Sequence, residues 1–70
     1  MSAVHHTLQP HQQRVLVEEQ ELRERVRALA DFVDDGVFRT LPFPEQDRLR
    51  RQLGYMTGYL VVLGERVASF

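Results

Sequence analysis

The last third of the chain leaves the least freedom. From Leu49 onward, apolar residues recur at alternating intervals of four and three: Leu49, Leu53, Met56, Leu60, Leu63, Val67 and Phe70. A strand would alternate at every second residue. This spacing follows the turn of an α-helix with one face buried against other helices. A second row one step round the wheel, Arg48, Gln52, Tyr55, Tyr59, Val62 and Arg66, repeats the spacing with rings and cations. Pro44 suits the first helical position, and Glu45 and Asp47 fall in the first turn, where the helix dipole favours acids. The pattern predicts a helix from about Pro44 to Ala68.

A second long helix precedes it. Gln9-Pro10 is a helix start, with Thr7 as a possible cap upstream. Val15, Leu22, Val26, Leu29 and Val33 then trace one stripe, interrupted by Glu19 with Glu18 beside it. That interruption predicts a first half that lines a wet or polar cavity rather than simple core. Glu21 and Arg25 are spaced to pair across one helical turn, worth about 0.2–0.5 kcal/mol on a solvated face. Asp34-Asp35-Gly36 stops the helix, with Gly36 free to take the left-handed conformation. Val37, Phe38 and Leu41 form a short helical turn, and Leu41-Pro42-Phe43-Pro44 forces an extended connection. Two helices of similar length with a short connector make an antiparallel hairpin. The expected fold is therefore all-α: a helical hairpin with a short connecting helical turn, residues 10–70, behind a flexible tail of residues 1–9.

Such a hairpin is too small to satisfy itself. A chain of 70 residues buries only about 60% of the surface its unfolded form exposes. Short chains usually add disulfides, a metal or oligomerisation. There is no cysteine, which removes the disulfide and the thiolate site. His5, His6 and His11 lack the ligands that would complete a metal shell. Assembly into a homo-oligomer is the remaining route. Gly54 and Gly58 bear on it, because glycine inside a helix costs about 1 kcal/mol. Either another helix or a ligand comes close to the backbone there, or the residues are tolerated drift.

Composition narrows the function. The net charge of −1 is not that of a general binder of DNA or RNA polymers. No apolar run reaches the ~20 residues of a membrane span, and the N-terminus lacks the pattern of a signal peptide. The expectation is a cytoplasmic protein without cofactor. Enzyme chemistry finds no support: there is no Cys, all three His lie near the N-terminus, and no Ser/His/acid set or Lys-bearing glycine loop is present. Every basic side chain is Arg. Base composition explains that simply, yet the guanidinium fork also suits phosphate. The Tyr55/Tyr59 row with Arg48 and Arg66 admits two readings: stacking and phosphate contact for a nucleotide, or a second oligomer seam with Arg at its rim. Periodicity alone favours the seam. A helical adaptor docking a protein partner through the same row is the alternative function.

The order of short motifs carries a resemblance. His11-Gln12-Gln13-Arg14-Val15, Glu18, Glu21-Leu22, Phe32-Val33, Phe38, Leu41-Pro42, Gln46, Gln52-Leu53, Met56, Tyr59 and Leu63-Gly64-Glu65-Arg66-Val67 resemble a family of small phage proteins. That family includes the anti-CBASS sponges, which sequester cyclic oligonucleotide messengers of bacterial immunity. The similarity spans about residues 11–68. It implies a homohexamer acting in the host bacterial cytoplasm, trapping cyclic dinucleotides or trinucleotides at subunit interfaces without hydrolysing them. By the same resemblance Arg66 grips the trinucleotide; Tyr59, from the row it shares with Arg66, is the candidate stacking ring. Arg25 serves dinucleotide phosphates, standing where the family has Lys. His11 or Gln12 stands where the family has a base-stacking aromatic. Glu19 replaces a commonly basic position.

Overall fold

The computed structural model describes residues 8–70. The tail expected over residues 1–9 lies almost wholly outside them, as do Thr7, His5 and His6. Two helices fill most of the chain: α1, Pro10–Val33, and α2, Phe43–Ala68, joined through a 3-10 turn at Phe38–Thr40. They pack antiparallel as a hairpin.

The helix starts follow proline chemistry. Pro10 is the first residue of α1, where its missing N–H costs nothing. The Gln9 N–H, which the helix cannot pair, donates to Gln12 Oε1 at 2.8 Å. Gln13 Nε2 reaches back to the Leu8 carbonyl at 3.1 Å. At α2, Pro42 is the cap and Phe43 the first helical residue, so the helix begins one residue before the expected Pro44.

The end of α1 departs from expectation. Gly36 does not take positive φ. Instead the chain keeps winding right-handed in successive i→i+3 turns, from Asp35 N–H to Phe32 O through Leu41 N–H to Phe38 O. Asp35 makes this possible: its Oδ1 accepts the Val37 N–H at 2.8 Å, an Asx turn that replaces the left-handed glycine.

Those turns deliver Phe38 to the closed end of the hairpin, where it is 1% exposed. The Phe32 ring meets it edge-on, with centroids 5.9 Å apart at 89°. The Arg50 guanidinium covers its other side at 4.9 Å. Gln46, in the first turns of α2, is a buried polar residue. Its Nε2 donates to the Leu41 carbonyl at 2.8 Å and to Arg39 O at 3.3 Å. The amide thereby ties the connector to the first turns of α2.

The core runs along the seam. Val15, Leu22 and Leu63 are buried, and Val26, Met56, Leu60 and Val67 pack against them. The stripe read from the sequence is therefore the inner face of α2, apart from Phe70, which lies past the end of the helix and stays exposed. Leu49 and Leu53 are only half-buried.

The shape is that of a rod. The radius of gyration is 16.3 Å, against about 11 Å for a compact domain of this length. The accessible surface is 5384 Å², against roughly 4,500 Å² for a compact monomer of this mass. Exposed apolar side chains make up part of the excess: Tyr55, Val61, Val62 and Phe43 all face outward. Among the described residues no helix is long and apolar enough to cross a membrane.

Candidate functional site

The register of the hairpin decides which candidate residues can meet. Val15 and Val67 belong to one cluster, and Glu19 Oε2 lies 3.6 Å from where a Cβ on Gly64 would sit. So the start of α1 lies beside the end of α2. The same contact fixes the flanks: Glu19 and Gly64 mark one side of the hairpin. At about 100° per residue, Gln12 falls on the Glu19 side. His11 and Arg25 on α1, and Tyr59 and Arg66 on α2, fall on the opposite side. The hairpin thus gathers four of the five candidates onto one flank and separates Gln12 from them.

Gln12 is also occupied, since its side-chain oxygen holds the Gln9 N–H. Its first role is to cap α1. Arg25 does not pair with Glu21: the ion pairs among the described residues are Glu19–Arg23 at 3.3 Å, Glu45–Arg48 at 2.9 Å and Asp47–Arg51 at 2.9 Å. An exposed pair at the Glu21–Arg25 spacing gains too little to fix two long side chains. Arg25 and Arg66 therefore have no carboxylate partner among the described residues. Both are exposed, and Tyr59 on the same flank is 46% exposed. The Arg66 carbonyl accepts Ser69 Oγ at 2.7 Å, which holds the last turn of α2 and leaves the guanidinium free.

Glu19 gives the break in the α1 stripe a physical meaning. Its carboxylate lies over Gly64, at van der Waals distance from where a Cβ there would sit, and Arg23 bridges to it. The wet cavity expected along the first half of α1 is instead an open depression on its outer face. Pro10, Gln13, Arg14, Val17, Glu18 and Glu21 line it. Two carboxylates against one guanidinium give it the wrong sign for a phosphate. Neither that depression nor the flank encloses a ligand within one chain. The guanidiniums of Arg25 and Arg66 stand on a convex rod, where an anion contact is worth little until water is excluded.

A family model described as Sequestin matches residues 9–69. The chain belongs to the Sequestin family. The matched span begins at the cap of α1 and ends just past α2, so the Sequestin match covers the whole hairpin and all five candidate residues. No curated protein and no solved structure matches this Sequestin chain. Sequence reasoning missed Gln46 as a structural residue and Arg14 as a lining residue of the depression. The Gln46 signal was present only as one residue of the motif series, with nothing to show which carbonyls it would meet.

Proposed function

We propose that this protein is a non-catalytic sponge that sequesters cyclic oligonucleotide second messengers, cyclic trinucleotides foremost, and so blocks CBASS-type immunity in the cytoplasm of a phage-infected bacterium. The observation that carries the reading is the family match across the entire hairpin, whose name speaks of sequestration. The motif series from His11 to Val67, which resembles the anti-CBASS sponges, supplies the ligand class. The geometry is compatible: Arg66 and Tyr59 share a flank, offering a fork for phosphate and a ring for a base. Arg25 lies on that flank too, and His11 stands toward its open end.

The rod also supports assembly, since a lone chain leaves Arg66 in water. Copies brought together around a three-fold axis would surround one cyclic trianion with three guanidiniums and shield them. A homohexamer would hold two such sites. No residue set for bond cleavage is part of the proposal: capture alone lowers the free messenger.

The test is depletion. The protein is mixed at micromolar concentration with cyclic dinucleotides or cyclic trinucleotides, and free messenger is followed by chromatography. Loss of free messenger, with intact messenger recovered after heating, is expected. Unchanged free messenger overturns the sponge. Recovery of linear product overturns its non-catalytic character.

A further inference from the structure

The depression on α1 has the wrong sign for a phosphate but an edge well suited to a base. It measures about 540 Å³, within the ~300–1,000 Å³ of small-molecule sites. Arg14 and Glu18 stand on its lining. At about 100° per residue, His11, Arg14, Glu18 and Arg25 share an arc of roughly 60° on α1. One side of the depression therefore opens onto the flank that carries Tyr59 and Arg66. The height matches as well. Glu19 lies against Gly64. Glu18 comes just before Glu19 and Arg66 just past Gly64, in the same direction along the rod. Glu18 and Arg66 are thus level to within about 1.5 Å of helical rise.

Both side chains of the edge are uncommitted. Glu18 is half-buried and Arg14 exposed. No ion pair or side-chain hydrogen bond among the described residues uses either one. Arg placed four residues before Glu is the weaker order on a helix, so the two gain little by closing on each other. An acid level with Arg66 also repels a bare phosphate. Glu18 therefore weakens capture unless the ligand brings hydrogen-bond donors to it.

We propose that the Arg14/Glu18 edge reads a guanine base of the captured messenger. This rests on the sponge reading and names the base that it prefers. Guanine sets two N–H donors, N1 and N2, side by side, and a carboxylate accepts both at once. Its O6 and N7 are the acceptors that an arginine fork takes in bidentate fashion. Adenine presents an acceptor, N1, to the same carboxylate and an N–H to the same guanidinium, and both contacts are unfavourable. Glu18 thus accepts from the Watson–Crick edge and Arg14 donates to O6, while Arg66 holds the phosphate on the shared flank.

The depletion assay tests the base directly. Cyclic tri-AMP is compared with the cyclic trinucleotide in which guanine replaces one adenine, and with the analogue carrying hypoxanthine there, which lacks the N2 amino group. The wild type should retain the guanine messenger about tenfold more tightly than the adenine one, the discrimination of one good bidentate pair. Glu18→Gln and Arg14→Gln should each bring the two to near equality, with adenine-messenger capture, helical circular dichroism and mass in solution unchanged. Hypoxanthine should lose most of the advantage on the wild type, a result that needs no variant to fold. Equal retention of adenine and guanine messengers by the wild type overturns the guanine edge and leaves the sponge standing. Glu18→Gln that tightens both messengers alike makes Glu18 a mere counter-charge and overturns the edge as well. Retention of neither messenger overturns the sponge and this inference with it.

Discussion

Gln46 and Arg66 show how differently two polar residues of one helix can be used. Gln46 is buried and spends its amide on the Arg39 and Leu41 carbonyls. Gln46→Ala removes that donor from a buried site and should destabilise the chain by about 1–3 kcal/mol, read from denaturant midpoints. A change below about half a unit would mean that water substitutes for the amide. Arg66 spends nothing inside the chain. Arg66→Ala should leave unfolding unchanged and abolish cyclic trinucleotide retention; a parallel loss of oligomer mass would reassign it to assembly. Gln12 lies between these cases. Because it caps α1, Gln12→Ala should cost roughly 0.5–2 kcal/mol before any effect on ligand is considered. Ligand titrations of that variant therefore need a folded-fraction control.

At the scale of elements, the inner faces were open to view and the joints were not. The run from Leu49 to Val67 repeats with the helical period, so its burial follows from spacing alone. Leu63, near the C-terminal end of that run, is fully buried, and Leu63→Ala should cost about 2–5 kcal/mol. Leu53 is only half-buried in the chain and should cost less, unless a second copy covers it. The joint between helices was hidden because side chains, not backbone preference, decide it. Asp35 ends α1 by capturing the Val37 N–H, so the glycine signal at Gly36 pointed to the right place by the wrong mechanism. The grouping of His11, Arg25, Tyr59 and Arg66 was hidden for a related reason. Each residue's place on its own helix is periodic, but the side they share depends on Glu19 lying against Gly64, a contact no single-helix pattern contains. The proposed ligand class rests on the order of motifs alone.

The whole molecule is a rod with more surface than a chain of its mass needs. The ion pairs among the described residues all involve at least one half-exposed or more exposed side chain. Folding should therefore be nearly indifferent to salt. Binding of a cyclic trianion by guanidiniums should weaken as salt rises, because each contact is electrostatic. Thermal melts and ligand titrations at low and high salt separate the two; equal salt dependence would mean that the ion pairs hold the fold. The measurement that bears most directly on the account is equilibrium binding of a cyclic trinucleotide to the wild-type oligomer and to Arg66→Ala. The account predicts tight capture by the wild type, intact messenger on heat release, and no capture by an Arg66→Ala protein of unchanged mass. Equal capture by both proteins, or capture by neither, would contradict it.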